Sequence, residues 1–297
     1  MPGFDVILLG TGSPLPNPDR CGAGQVVLAG DERILVDCGW GVARRLFAAG
    51  VFPMTVDTVC FTHMHSDHIT DVPDFLIMRW VGGAQKPLTV YGPEGTQRMI
   101  DGFLAAMADD IRFRFAHHGE KLSKEGIKTI VHEVPATPDR RRAAEVGGVT
   151  IDSFEVDHFP VVPALGFRLD GHGGSVAISG DTKKCDNLTR AATGADLLIS
   201  EAMSESIFAM MRQRMLAAGN ERQASVMDDV PSYHATTIEV AEMARDAGVK
   251  KLVLSHVIPP IPNEGPLADA FANGMSAVYG GEIMVGKDLM RLHVGPA

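Results

Sequence analysis

One stretch of seven residues constrains this chain more than any other feature of its sequence. Residues 62–68 read Thr-His-Met-His-Ser-Asp-His and follow the apolar run Val56–Phe61, which predicts a buried strand that ends in a turn. In extended backbone His63 and His65 point to the same face, so both can contact one ion. Asp67 and His68 come after the turn and point to a neighbouring position. Because imidazole and carboxylate are typical ligands of zinc and similar divalent ions, the stretch predicts a metal site with room for two adjacent ions.

Composition sets the class of protein. The 297 residues are 45% hydrophobic and 22% charged, which is typical of a soluble globular protein with a sizeable core. We expect a single domain spanning residues 1–297, since a two-sheet α/β fold can use that length. The net charge of −10 and the pI of about 5.5 argue against a broad nucleic-acid-binding surface, although an acidic total leaves room for a local basic groove.

The chain carries no sequence signal for export or for a membrane. The four cysteines, Cys21, Cys38, Cys60 and Cys185, lack metal-binding or redox spacing, and we expect free thiols in a reducing compartment. No apolar stretch reaches transmembrane length, and the N-terminus lacks a basic signal-peptide start. The prediction is a cytoplasmic protein without a membrane partner.

The order of apolar segments predicts an α/β protein. Strand-rich segments occur in both halves of the chain and alternate with helical ones, which fits two mixed sheets covered by helices on both sides. The stretch Arg112–Gly148 is the least regular, and its basic run Arg140–Arg142 is interpreted as a solvated loop. A helix over Ser204–Ala218 is rich in methionine, which is typical of a core or subunit interface and, as a second interpretation, of a flexible pocket wall.

Four further polar residues are candidates for the same site. His158, Asp181 and His256 each follow a predicted strand, where such folds place their chemistry. His234 lies in a loop before a helix that opens with the capping box Thr236–Glu239. Together with residues 63–68 these side chains supply the imidazoles and carboxylates that two zinc ions need while one coordination position stays open for water.

These segments carry a resemblance to a known family. The matching motifs are Thr62 to His68, Asp157-His158 with Leu165-Gly166-Phe167, Ser179-Gly180-Asp181-Thr182, Leu254-Ser255-His256, Gly10-Thr11-Gly12-Ser13, Asp37-Cys38-Gly39 and His234-Ala235-Thr236. In this order they resemble the ribonuclease Z branch of the metallo-β-lactamase superfamily, which also contains arylsulfatase-like and phosphodiesterase-like hydrolases. The resemblance runs from about Val6 to Leu292 and implies the metallo-β-lactamase fold, an αββα sandwich of two mixed sheets flanked by helices.

The resemblance also implies roles for individual residues. One metal would bind His63, His65 and His158, the second would bind Asp67, His68 and His256, and Asp181 would bridge both. His234 would donate a proton near the leaving group, and Asp67 and His234 are the residues assigned to catalysis. Two divalent ions are expected, Zn²⁺ first and Mn²⁺ or Fe²⁺ as alternatives. The other histidines, His117, His118, His132, His172 and His293, are interpreted as non-catalytic.

The expected activity is metal-dependent hydrolysis of a small ester by a metal-bridged hydroxide, with the bond left open between phosphodiester, aryl sulfate, and lactone or carboxylic ester. Two alternatives remain: a ribonuclease Z-type endonuclease that processes tRNA 3′ ends, and a non-catalytic metal-binding protein. Nucleic acid ranks lower because the interval Lys121–Gly148, where a basic tRNA-clamping arm is expected, is short and partly acidic. The partners predicted are therefore a small-molecule ester and, through the methionine-rich helix, a second copy in a homodimer.

Overall fold

A computed structural model describes residues 3–296, which form fourteen strands and ten α-helices numbered here in chain order. Seven strands form the first sheet: β1 (Phe4–Gly10), β2 (Gly24–Ala29), β3 (Glu32–Val36), β4 (Thr58–Cys60), β5 (Leu88–Gly92), β6 (Thr129–Glu133) and β14 (Arg291–Val294). Their order is β14-β1-β2-β3-β4-β5-β6, antiparallel from β14 to β3 and parallel from β3 to β6. The last strand of the chain thus pairs with the first.

The remaining seven strands form the second sheet: β7 (Arg141–Val146), β8 (Val149–Glu155), β9 (Leu165–Gly171), β10 (Gly174–Ile178), β11 (Leu197–Met203), β12 (Lys251–Ile258) and β13 (Glu282–Val285). They run in the order β13-β12-β11-β10-β9-β8-β7, parallel from β13 to β10 and antiparallel from β10 to β7. Every residue of β11 is buried, as expected for a central parallel strand covered on both faces.

Helices cover the outer face of each sheet. They are α1 (Val42–Ala48), α2 (Ser66–Ile69), α3 (Val72–Val81), α4 (Thr96–Ala106), α5 (Ala108–His118), α6 (Asp186–Ala191), α7 (Glu205–Ala217), α8 (Glu221–Asp229), α9 (Thr237–Ala247) and α10 (Pro266–Ala270). One apolar core lies between the sheets, a second lies under α1, α3 and α4, and a third lies under α6, α7 and α9. The layers are therefore helix, sheet, sheet, helix, and the predicted αββα sandwich is confirmed.

Parts of the secondary structure differ from the sequence-based prediction. The stretch Arg112–Gly148 contains most of α5 and one edge strand of each sheet, β6 and β7. Arg141 and Arg142 belong to β7 and not to a loop. The sequence of Ala268–Tyr279 predicts one last helix, which is wrong, because α10 ends at Ala270 and Gly274 takes a left-handed φ of 86°. Edge strands bury little apolar surface, so their hydrophobic pattern in the sequence is weak.

Within residues 3–296, no helix is long and apolar enough to cross a membrane. The methionine-rich segment forms α7, and a second helix, α8, follows it after Gly219 and Asn220. Ile207 and Phe208 of α7 are buried inside the chain. This face therefore packs at least partly on its own protein, and the homodimer stays a prediction.

Candidate metal centre

The loop that follows β4 is held in place by backbone contacts with its neighbours. The Cys38 N–H donates to the His68 carbonyl at 2.7 Å, and the Ala23 N–H donates to the Asp67 carbonyl at 3.0 Å. Gly39 permits this approach, since a Cβ atom there would lie 1.9 Å from the Asp67 carbonyl oxygen. Side chains of the loop are thus fixed relative to the end of β3 before any ion binds.

A first group of possible ligands consists of His63, His65, His158 and Asp181, whose ligand atoms all lie within 4.8 Å of one another. His158 Nε2 lies 3.3 Å from His65 Nδ1. The His63 and His158 Nε2 atoms lie 3.8 and 3.9 Å from Asp181 Oδ2. Three imidazoles and one carboxylate oxygen so arranged match a divalent-metal ligand set.

A second group consists of Asp67, His68 and His256, again within 4.8 Å. His256 Nε2 lies 3.0 Å from Asp67 Oδ2. His256 does not follow a strand as predicted but lies inside β12, at a bulge where the register with β11 shifts. Its φ of 44° is in the left-handed region that non-glycine residues rarely adopt. Bulges of this kind turn a side chain out of the regular alternation, here toward the site.

Asp181 lies between the two groups. Its Oδ1 is 3.3 Å from His68 Nε2 in the second group, while its Oδ2 faces His63 and His158 in the first. Burial would raise the pKa of this carboxyl, but the His256 and His68 rings lower it well below its usual range. An ionised carboxylate at this position is suited to contact an ion on either side.

Hydrogen bonds behind three of the rings fix which ring nitrogen faces inward. His158 Nδ1 donates to the Tyr233 carbonyl at 2.9 Å, and His68 Nδ1 donates to Asp37 Oδ2 at 2.9 Å. His63 Nδ1 lies 3.0 Å from the Thr62 hydroxyl, which itself donates to Asp37 at 2.8 Å. When a ring is neutral its one proton lies on Nδ1, and Nε2 has a lone pair for a metal. Burial opposes protonation of His68, but the Asp181 and Asp37 carboxylates raise its pKa well above the usual range, so an ion would displace a proton from that ring.

Unpaired polar atoms show that these residues fit metal ions. Among the residues described, His63 Nε2, His68 Nε2, His256 Nδ1 and Asp181 Oδ1 are buried without a hydrogen-bond partner. Leaving such atoms unpaired is costly, and an ion would satisfy several at once. Burial also lowers the pKa of His63 and His158, which favours the neutral ring that binds metal.

His234 lies beside the two groups and is held by a carboxylate. Its Nδ1 is 2.6 Å from Glu201 Oε2, and the other Glu201 oxygen accepts from the Thr182 N–H. Burial raises the pKa of Glu201 and lowers that of His234, which favours one proton shared along this contact over two separate charges. His234 also forms a possible ligand group with Asp181 and His256, within 4.8 Å.

The structure therefore brings all eight sequence-predicted site residues to one place, and it gives a role to three more residues to which the sequence analysis assigned none. Asp37 and Thr62 orient the histidines, and Glu201 pairs with His234. Glu201 was missed because the apolar run Leu197–Ser200 predicts a strand that stops one residue before it, whereas β11 continues to Met203. The available signal was a lone carboxylate near the end of an apolar strand, since Glu is almost never fully buried without a partner.

Residues assigned no role lie elsewhere. His293 contacts Asp5, His172 contacts the Gly147 carbonyl, and His132 stacks on Tyr91. Within the described residues, none of the five histidines predicted to be non-catalytic belongs to either ligand group. The four cysteines are free.

Comparison with known proteins defines the class. Residues 32–257 match the family model of the beta-lactamase superfamily domain. The metallo-beta-lactamase fold protein YhfI from Bacillus subtilis has the same fold with a TM-score of 0.70, at 22% identity, and the match covers 98% of this chain and 99% of that one. The human tRNase Z, short form, also gives a TM-score of 0.70 at 22% identity over 99% of this chain and 100% of the other. The chain is a metal-dependent hydrolase of this superfamily.

Sequence similarity is more specific than the fold. Ribonuclease Z from Mycobacterium bovis is 38% identical over 297 residues, covering 99% of each chain. The chain belongs to the ribonuclease Z family. The resemblance noted from the sequence motifs is confirmed.

Proposed function

We propose that this protein is a phosphodiester hydrolase of the ribonuclease Z type that cleaves a tRNA precursor near its 3′ end. The observation that carries the proposal is the 38% identity, over 99% of the chain, with a protein named Ribonuclease Z. A small ester, the substrate class favoured from the sequence, becomes the second candidate. A non-catalytic role is set aside, since the family is one of metal-dependent hydrolases.

The ligand assignment follows the two groups. His63, His65 and His158 would hold one ion, Asp67, His68 and His256 would hold the other, and Asp181 would contact both. Zn²⁺ is the ion proposed first, because three-histidine and histidine–carboxylate sets with an open position are typical zinc sites. Two such ions, when bound, supply an activated water nucleophile near neutral pH and neutralise charge on the phosphate.

The protein's own groups would handle the leaving-group proton. His234 can give its Nε2 proton to the departing oxygen while Nδ1 takes the proton shared with Glu201 over 2.6 Å. Glu201 is in turn fixed by the Thr182 N–H, next to Asp181 in the chain. Asp67 contributes by holding His256 at 3.0 Å, so it acts on the geometry of the second group as well as being a proposed ligand.

The interval expected to hold a tRNA-clamping arm supplies few free cations. Residues 121–148 contribute the edge strands β6 and β7. Arg140 pairs with Asp170, and Arg142 pairs with Asp152 and Glu145. Phosphate contacts that do form here would compete with these ion pairs, so we expect this interval to contribute few phosphate contacts and to add little to the salt dependence of tRNA affinity.

A specific observation favours the second candidate. A cavity of about 750 Å³ opens beside Asp67, Asp181 and His234, and methionine, valine and proline side chains line much of it. Cavities of this size and polarity are typical of small-molecule sites. A small ester with an apolar part would fit here better than a polyanion.

One substrate panel tests the proposal. Zinc-loaded protein is given a precursor tRNA with a 3′ trailer, bis(p-nitrophenyl) phosphate, an aryl sulfate and a lactone, with Asp181→Ala as the inactive control. We expect trailer release with a kcat/KM above that of every small ester. Turnover of small esters with no trailer release would overturn tRNA as the substrate and leave the second candidate.

A further inference from the structure

The cavity beside the metal centre has two chemically different ends. At one end lie His65, Asp67, Asp181 and His234, which are proposed ligands and the proposed proton donor. The other end is formed by apolar side chains and is called the apolar chamber here: Phe208, Met211, Met215, Val226, Met227 and Val230. A single molecule that fills this cavity would contact both ends.

The chamber is built by the hairpin of α7 and α8. Phe208 is buried in a small cluster with Met203 and Ile258 at the ends of β11 and β12, and Met227 and Val230 pack against this cluster. Two contacts from Arg212 to Asp228, at 2.5 and 2.8 Å, join the two helices at the surface. Because the hairpin leads directly into the loop that carries His234, the chamber lies on the leaving-group side of the site.

The side chains of the chamber offer little to a polar ligand. Its walls are thioether, aliphatic and aromatic groups, and Arg222 and Gln223 at the start of α8 are exposed. Methionine adapts to apolar ligands of different shapes because its chain is unbranched and polarisable. Val226 lines the cavity and is 60% exposed, so it is accessible to a ligand that enters.

We propose that the apolar chamber binds an alkyl or aryl substituent of a phosphate ester, so that the α7–α8 hairpin selects among phosphate esters by the size and apolarity of that substituent. This inference rests on the proposed phosphodiester hydrolysis. It assigns recognition of the apolar substituent to the chamber, while the metal centre binds the phosphate.

Chain-length dependence tests the inference. Monoalkyl phosphates from methyl to octyl are used as competitive inhibitors of bis(p-nitrophenyl) phosphate hydrolysis by the zinc-loaded protein. Binding of the same compounds is measured by calorimetry at two or more temperatures. Each methylene buried in the chamber should tighten binding by up to about fourfold, and the heat capacity of binding should become more negative with length.

Matched variants locate the effect. Met215→Gln and Met211→Gln should reduce the gain per methylene, and Val226→Ser, at an exposed position with little effect on folding, should do the same. Leu216→Gln is the control, because Leu216 lies next to Met215 on α7 but is 42% exposed and outside the cavity lining. The Leu216→Gln variant should show the same gain in binding per methylene as the wild type.

Two outcomes separate this inference from the proposed function. If inhibition of an active wild-type protein is independent of alkyl-chain length, the proposed role of the apolar chamber is wrong, while phosphodiester hydrolysis is still supported. An equal loss of length dependence in Leu216→Gln and Met215→Gln also overturns it. Length-dependent binding by calorimetry in a protein that hydrolyses no phosphodiester supports the chamber and contradicts the proposed function.

Discussion

Replacing Glu201 with Gln should impair proton donation while leaving the metal centre intact. Gln has nearly the same shape and can still accept the Thr182 N–H, but its amide has no proton to pass to His234 Nδ1. His234 then becomes a weaker acid. Hydrogen bonds to a charged group are worth roughly 1.5–3 kcal/mol, and about 1.4 kcal/mol is a tenfold change in rate, so kcat should fall by roughly 10- to 150-fold.

Three measurements check this prediction in Glu201→Gln. Metal content by elemental analysis should equal that of the wild type. The loss in kcat should be large for a phenyl leaving group and small for p-nitrophenyl, which departs without a proton. In the double variant with His234→Ala, the second substitution should add almost no further loss, because the two residues act as one unit. Losses that multiply, or a variant that loses metal, would refute the proposed relay.

Three further predictions follow from the same contacts. Asp181→Ala should abolish activity and weaken binding of both metals, measured by elemental analysis after dialysis, whereas loss of one metal alone would contradict its position between the two groups. Chelation should lower the melting temperature, since an ion at 100 times its Kd adds about 2.7 kcal/mol to stability; an unchanged melting temperature would exclude ion binding linked to folding. Burial opposes ionisation of Asp196, but hydrogen bonds from Lys250 and Ser175 lower its pKa below the ordinary value of about 3.9. The ionised carboxylate therefore stabilises the folded state above that pH, and this stabilisation is lost as the pH falls through the folded-state pKa. Denaturant unfolding of Asp196→Asn should show a loss of about 1 kcal/mol at pH 7 that shrinks below pH ~4, and a constant loss at all pH values would contradict the assignment.

The fold was predictable because its signals are local. Central strands such as β11 and β12 each contain a short apolar run, and α9 is marked by the capping box Thr236–Glu239 and by Gly248, which ends the helix with a φ of 63°. The edge strands β6 and β7 were missed, since their residues are largely exposed and carry no apolar pattern. Helix α8 escaped prediction for the same reason: Ala224 is its one buried residue.

The residue types in the sequence predict most of the candidate site, but they do not predict contacts between segments that are distant in the chain. Residues 63–68 hold three histidines and one aspartate within six positions, which predicts the site, and the motifs of the family add the remaining residues. What the sequence could not supply was the bulge at His256, the pairing of Glu201 with His234, and the apolar chamber. Each of these arises from contacts between segments that are distant in the chain, so no local pattern encodes it.

The number and position of bound metals test the central claim most directly. Crystals of zinc-loaded protein, measured at the zinc absorption edge, should show two anomalous peaks about 4 Å apart. One should lie among His63, His65 and His158, the other among Asp67, His68 and His256, with Asp181 between them. A single peak, or two peaks away from these residues, would contradict a dinuclear hydrolase site.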